Sequence, residues 1–154
     1  IYNRTHWDRI FYDEFETCRQ SGIQAVLILI DIDHFKKIND TWGHDAGDEA
    51  IMAFARVLQS TLRKDDICAR LGGDEFAVFM RDITPLNALG IVSRIRRNLK
   101  EVSLSERVKI RLGISAGVAI LTAGTDSGQE WIKKADIALY HAKEHGRNRT
   151  KTTW

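Results

Sequence analysis

The feature that most constrains how this chain folds is a glycine turn that carries two acidic residues and joins two apolar runs. Residues 67–71 and 76–80 are the apolar runs, and Gly72, Gly73, Asp74 and Glu75 lie between them. Glycine accepts the positive φ of short hairpin turns, so residues 67–80 are predicted to form a β-hairpin. A turn alone does not need two carboxylates, so the acidic pair indicates a functional site.

A second acidic pair follows another apolar run. Asp31 and Asp33 come directly after residues 25–30, and residues 25–32 are too apolar and too rich in branched side chains for anything but a buried strand. Acids at the end of one strand and on the hairpin of another can meet at one point. Carboxylates placed in this way commonly hold Mg²⁺ and a nucleotide triphosphate.

Hydrophobic periodicity predicts the remaining elements and the fold class. Helices are expected over residues 3–19, 43–63, 84 to about 102, and 127–144, the last ended by Gly146, and a long strand over residues 109–121. With the strand 25–32 and the hairpin, this order predicts an α/β (α+β) sandwich, with a central mixed or antiparallel sheet flanked by helices. Such a sheet resembles the ferredoxin-like palm of polymerases and nucleotide cyclases. At 154 residues, a single domain covering 1–154 is expected.

Composition narrows the classes of function. A net charge of +2 gives no argument for nucleic-acid or membrane binding. Cys18 and Cys68 lie in apolar contexts and are expected to be small buried side chains in a reducing compartment. No run approaches the roughly 18 apolar residues of a membrane-spanning helix, and no signal peptide is visible. A cytoplasmic location is expected for this domain, and a membrane anchor elsewhere in the full-length protein is compatible with that location.

Four ordered blocks of sequence resemble the GGDEF domain, the catalytic module of diguanylate cyclases. The blocks are residues 31–40, 43–48, 72–76 and 135–148, and they follow the order and spacing of that family over nearly the whole chain. The resemblance implies the condensation of two GTP molecules into cyclic di-GMP by a homodimer. GGDEF domains usually open a few residues earlier, so we expect a fragment of a longer protein with an upstream sensory or receiver domain.

The resemblance also implies a metal site and a catalytic base. Asp31 and Asp74 supply carboxylate ligands, and the Ile32 carbonyl supplies a third oxygen. These hard oxygen donors suit Mg²⁺ or Mn²⁺. Asp74 or Glu75 helps to deprotonate the attacking hydroxyl group, and the sequence does not divide that role between them.

Substrate-binding residues follow from the same resemblance. Asn39 and Asp48 match the positions that bind guanine, whose N1–H and exocyclic amine are donors that a carboxylate accepts. No P-loop is present, so backbone N–H groups near residues 34–36 are expected to bind phosphate. The other implied substrate contacts are Phe35, Lys36, Gly72, Gly73, Lys143 and Arg147.

Arg63 and Asp66 match the RxxD motif, which in this family is the inhibitory site for the product, cyclic di-GMP. Arginine pairs with phosphate and stacks on guanine, while the acid accepts the guanine donors. Arg70 and Arg94 are further candidate contacts at this site.

Two other functions compete with an active cyclase. One is a catalytically silent receptor for cyclic di-GMP, and the other is a GTP-binding module that regulates a phosphodiesterase. Intact signature residues favour the cyclase. His141 and His145 lie four residues apart on a predicted helix, but no third ligand accompanies them, so we expect surface histidines.

Overall fold

A computed structural model describes residues 1–99, the backbone of residues 102–105, and residues 108–154. The helices are α1 Arg4–Ser21, α2 Phe35–Trp42, α3 His44–Thr61, α4 Pro85–Asn98 and α5 Gly128–Glu144. The strands are β1 Ala25–Ile32, β2 Ile67–Gly72, β3 Glu75–Arg81, β4 Val102–Ser105, β5 Val108–Ile110, β6 Ile114–Ile120 and β7 Thr150–Thr152. In these ranges no helix has the length and apolar character needed to cross a membrane.

Five strands form the main sheet, in the order β2-β3-β1-β6-β7. The central strand β1 runs antiparallel to β3 and to β6, whereas β7 lies parallel to β6 at the edge. Strands β4 and β5 form a separate two-stranded sheet. The predicted fold class, a mixed sheet flanked by helices, is confirmed.

The central strand β1 is buried along its whole length because helices cover both faces of the sheet. Ile28 and Ile30 are in one cluster of the core with side chains of α3 and α4, while Leu27 and Leu29 are in the other with side chains of α1 and α5. Side chains alternate between the two faces along a strand. Asp31 therefore emerges on the face that α5 covers.

Close packing of α5 on β6 sets where the end of α5 lies. Gly117 of β6 contacts the helix backbone, and a Cβ added there would lie 2.9 Å from the Leu139 Cα. Trp131, from the first turn of α5, is fully buried, and its Nε1–H donates to the Ala119 carbonyl at 3.2 Å. These contacts fix the register of α5 on the sheet.

Two predicted boundaries were wrong, and three elements were not predicted. Helix α4 ends at Asn98, and Val102 begins β4, with residues 100 and 101 outside the described ranges. The strand expected over 109–121 is divided into β5 and β6, because its two halves pair with different partners. Between them, the Gly113 carbonyl accepts a hydrogen bond from the Asp33 N–H at 2.8 Å. Helix α2 and strands β4 and β7 were the unpredicted elements.

Candidate active site

Asp31, at the end of β1, is a buried carboxylate with one unsatisfied oxygen. It is 8% exposed, and its Oδ2 accepts a hydrogen bond from Lys143 Nζ on α5. Its Oδ1 is buried and has no hydrogen-bond partner. Burial raises the pKa of Asp31, and the Lys143 ammonium acts against that rise. Because buried polar atoms are normally paired, the free oxygen indicates a site for a cation.

The signature hairpin places its two acids beside Asp31. Glu75 lies opposite Asp31 in the pairing of β1 with β3, and the Asp74 carbonyl accepts a hydrogen bond from the Ile32 N–H at 3.2 Å. Burial raises the pKa of Glu75, and the negative charges of Asp31 and Asp136 raise it further. Negative charge is therefore concentrated where the sequence predicted that the two acidic pairs would meet.

Asp136 is a neighbour of this cluster for which the sequence predicted no role. Its charge raises the pKa of both Asp31 and Glu75. It precedes Lys143 by seven residues, which is about two helical turns, so both side chains lie on the same face of α5. That spacing was the signal in the sequence that would have identified Asp136.

The Asp33 side chain makes hydrogen bonds within the protein and has no free oxygen for a ligand. Its Oδ1 accepts a hydrogen bond from Ser115 Oγ at 2.6 Å, and its Oδ2 accepts one from the Asn148 N–H at 2.8 Å. Both oxygens are thus occupied by groups of β6 and of the segment that follows α5. Of the two acids Asp31 and Asp33, only Asp31 keeps an oxygen free for a ligand.

A cleft of about 500 Å³ lies between the hairpin, the start of α2 and the end of α5. Four cationic side chains line this cleft, namely Lys36, Lys37, Lys143 and Arg147. The other lining residues are Ile32, Asp33, His34, Phe35, Asp40 and Asp74. His34 precedes α2 and makes no side-chain capping hydrogen bond, so the first N–H groups of the helix have no side-chain cap. A helix N-terminus beside several cations is suited to bind phosphate groups.

The crossing of α2 with α3 holds the two predicted guanine-binding residues. Asn39 packs on Gly47, where an added Cβ would collide with Asn39 Oδ1 and would lie 3.3 Å from Phe35 Cζ. Asp48 is the next residue of α3 and is exposed. Phe35 belongs both to this crossing and to the cleft, so the two places are adjacent.

The turn after α5 directs Arg147 into the cleft. Gly146 has a φ of 113°, a conformation that favours glycine. Its N–H donates to the Lys143 carbonyl at 3.4 Å, and the Arg147 N–H donates to the Ala142 carbonyl at 3.0 Å. This pair of bonds is the Schellman motif, in agreement with the predicted role of Gly146 at the helix end.

The RxxD residues form a compact ion pair at the other end of β2 from the signature turn. Arg63 Nη2 lies 2.8 Å from Asp66 Oδ1, and the Asp66 side chain is 1% exposed. Arg94 Nη2 donates to the Thr61 carbonyl at 3.4 Å, close to Arg63 in the chain. Arg70 instead donates to the Gly73 carbonyl at 2.7 Å, at the hairpin turn. The structure therefore groups Arg94 with Arg63 and places Arg70 with Gly72 and Gly73.

His141 and His145 contact each other on α5, where His145 Nδ1 lies 2.7 Å from the His141 carbonyl oxygen. Over the described ranges, no group of three or more His, Cys, Asp or Glu side chains is arranged to hold a metal ion. A metal site at Asp31 and Asp74 would therefore need a main-chain oxygen as well.

Comparisons with known proteins identify the family. Residues 1–149 match the family described as "Diguanylate cyclase, GGDEF domain". The chain is 49% identical over 151 residues to the probable diguanylate cyclase DgcC of Escherichia coli K12, a match that covers 98% of this chain and 41% of DgcC. The chain thus spans less than half the length of that relative.

Two solved structures share the fold. The GGDEF domain of DgcB from Caulobacter crescentus, solved in complex with c-di-GMP, has a TM-score of 0.92 at 31% identity, covering 98% of this chain and 90% of that one. The active GGEEF domain of a diguanylate cyclase from Vibrio cholerae has a TM-score of 0.92 at 32% identity, covering 99% of this chain and 97% of that one. With the match over residues 1–149, these likenesses establish that the chain belongs to the GGDEF domain family of diguanylate cyclases.

Proposed function

We propose that this domain condenses two GTP molecules into cyclic di-GMP and releases two pyrophosphates. The observation that carries the proposal is the free, buried Oδ1 of Asp31 beside Asp74, at the edge of a cationic cleft. The DgcB domain, which binds c-di-GMP, has the same fold and supports the assignment.

The metal proposed for this site is Mg²⁺ or Mn²⁺, held by Asp31, Asp74 and the Ile32 carbonyl. The donor set fits, because all three groups offer hard oxygen atoms and one of those atoms lacks a partner. When bound, such a cation stabilises negative charge on the phosphoryl oxygens and on the leaving pyrophosphate. Lys143, which donates to the other oxygen of Asp31, orients that carboxylate and opposes the rise in its pKa.

Each bond-forming step needs a proton acceptor. The 3′-oxygen of one GTP forms a bond to the α-phosphorus of the other, the bond to pyrophosphate breaks, and the hydroxyl proton is transferred to a base. We assign that base to Glu75, the second acid of the hairpin, which lies opposite Asp31 in the pairing of β1 with β3. Asp74 lines the cleft and is assigned to the metal.

Two adjacent places would bind different parts of GTP: the cleft would bind the phosphate groups, and the crossing of α2 with α3 would bind the base. The N-terminus of α2, with Lys36, Lys143 and Arg147, would bind the phosphate groups. Asn39 and Asp48 would bind guanine, with Phe35 between the two regions. Gly72 and Gly73 have no atoms near the position of a Cβ, so the turn leaves room for a substrate to approach.

Catalysis across a homodimer follows from the stoichiometry. One site holds one GTP, whereas the reaction joins two, so a second copy of the domain presents the second GTP. We further propose that cyclic di-GMP inhibits through Arg63, Asp66 and Arg94, since two guanidinium groups and a carboxylate there match its phosphates and guanine donors. In the intact protein, an upstream sensory or receiver domain would control how two copies meet.

The direct test is to incubate the protein with GTP and Mg²⁺ and to quantify pyrophosphate and cyclic di-GMP. Asp31→Asn and Asp74→Asn should abolish synthesis while circular dichroism shows a retained fold. Asp13→Asn, an exposed change on α1, is the matched control and should be as active as the parent. Near-normal synthesis by either active-site variant would show that the two-carboxylate assignment is wrong. Binding of cyclic di-GMP without any turnover would identify the silent receptor instead.

A further inference from the structure

A second and larger cavity lies beside the proposed catalytic cleft. It measures about 710 Å³ and is bounded by α2, α4, the segment between β5 and β6, and the turn after α5. We call it the α2–α4 groove, and its walls include Lys37, Trp42, Arg96 and Arg111. The proposed catalytic and guanine-binding residues Asp31, Asn39, Asp48, Asp74 and Glu75 do not line it.

The groove carries an excess of positive charge. Among the described residues, Lys37, Arg96, Arg111 and Arg147 line it, and Asp33 is the only acid in its wall. Both oxygens of Asp33 already accept hydrogen bonds from Ser115 and Asn148. In the part of the chain that the structure describes, no carboxylate forms an ion pair with any of the four cations. These charges are available to an anionic ligand.

Arg96 supplies an unsatisfied donor in the same wall. Its Nη2 donates to Thr150 Oγ1 at 3.0 Å, which holds the guanidinium in place, whereas its Nε is buried without a partner. A buried donor of this kind costs free energy unless an acceptor satisfies it. Arg96 therefore presents a guanidinium that is fixed in position and carries no ion pair to a described carboxylate.

The backbone around the groove is held in an uncommon conformation. Among the described residues, four that are not glycine have a positive φ, and three of them, His34, Arg147 and Asn148, line the groove. Left-handed residues other than glycine are costly and are found preferentially at ligand sites. Because His34 and Arg147 also line the catalytic cleft, the strain marks the boundary between the two cavities.

The size and the apolar part of the wall indicate what kind of anion would fit. Trp42 is 52% exposed, and Ile110 and Leu112 also line the groove. A volume of about 710 Å³ is typical of sites for small organic ligands and is far larger than an inorganic phosphate requires. An exposed indole offers a face on which an aromatic base can stack.

We propose that the α2–α4 groove binds a nucleoside phosphate, as a second nucleotide site separate from the site for the GTP substrate. The base stacks on Trp42, and the phosphate groups contact Arg96, Arg111 and Lys37. Arg147 lines both cavities. An anion bound in the groove would therefore offset part of the positive charge that Arg147 contributes to the catalytic cleft.

Tryptophan fluorescence provides the test. Trp7 and Trp131 are buried, so a Trp154→Phe background leaves Trp42 as the one exposed indole. ADP is the probe, titrated without metal, because the proposed guanine site disfavours adenine. We expect saturable quenching that is lost in Trp42→Phe and about tenfold weaker binding in Arg111→Ala. Pyrophosphate should bind at least about tenfold more weakly than ADP.

Lys36→Ala is the matched control, because Lys36 lines the catalytic cleft but not the groove. It should leave ADP binding unchanged. Loss of binding in Lys36→Ala but not in Arg111→Ala would place ADP in the catalytic cleft and overturn the proposal. Equal affinity for pyrophosphate and ADP would refute a nucleoside site, and the absence of saturable quenching would refute any site in the groove.

Discussion

Replacing Gly117 by alanine should destabilise the domain by forcing α5 away from β6. The added Cβ would meet the Ala135 carbonyl oxygen, the Leu139 nitrogen and the Leu139 Cα, the last at 2.9 Å. All three are backbone atoms, so no side-chain rotation relieves the overlap and the helix itself has to shift. Overpacking of a core typically costs about 1–3 kcal/mol, and the rigid neighbours here favour the upper end of that range.

Urea denaturation followed by circular dichroism measures the effect on the free energy of unfolding. Gly90→Ala is the matched control, because Gly90 lies in α4 with no atom within 4 Å of an added Cβ. Alanine is the better helix former there, so the control should gain up to about 1 kcal/mol of stability. A Gly117→Ala protein as stable as the parent would refute the close packing of α5 on β6.

Three further predictions concern separate parts of the domain. The double change Asn39→Ala and Asp48→Ala should weaken the use of GTP and relax discrimination against ATP, because each unmade polar contact costs about 1–3 kcal/mol. Unchanged GTP/ATP selectivity in steady-state assays would place the guanine site elsewhere. Arg63→Ala should weaken binding of cyclic di-GMP by at least about tenfold in calorimetric titrations while synthesis persists, and equal affinities would reduce the Arg63–Asp66 pair to a surface ion pair. Cys68 should resist alkylation at pH 8 in the folded protein and react once urea unfolds it, because burial raises the pKa of its thiol to about 12. Rapid labelling of the folded protein would contradict the burial of Cys68.

Strong local patterns predicted the centre of the fold. The run of branched apolar residues gave β1 its correct bounds, and the glycine turn identified the hairpin of β2 and β3. Both of these signals lie within a few consecutive residues. The two cysteines are buried and unpaired, as expected from their apolar contexts.

The elements that the sequence did not predict depend on contacts distant in the chain. Helix α2 has eight residues, none of them fully buried, and its apolar face of Phe35 and Ile38 is too short to identify a helix. Strand β7 is a three-residue polar edge strand that exists because it pairs with β6. The division of residues 109–121 depends on Asp33, some eighty positions earlier, whose N–H binds the Gly113 carbonyl.

The same limit applies to the candidate site. The strand end, the hairpin turn and the family resemblance together placed Asp31 near Asp74, but residue spacing gave no indication that Lys143 would pair with Asp31. The resemblance assigned the metal to Asp31 and not to Asp33, but residue spacing did not predict that Ser115 and Asn148 would occupy both oxygens of Asp33. These distinctions are set by the packing of α5 and β6 against β1.

The dependence of synthesis on protein concentration tests the central claim most directly. Specific activity should be measured with GTP and Mg²⁺ over a series of protein concentrations, while light scattering follows the oligomeric state of the same samples. The account predicts two pyrophosphates for each cyclic di-GMP and a specific activity that rises until the dimer is fully formed. Undiminished synthesis by a demonstrated monomer, or no synthesis by a demonstrated dimer that binds GTP, would contradict it.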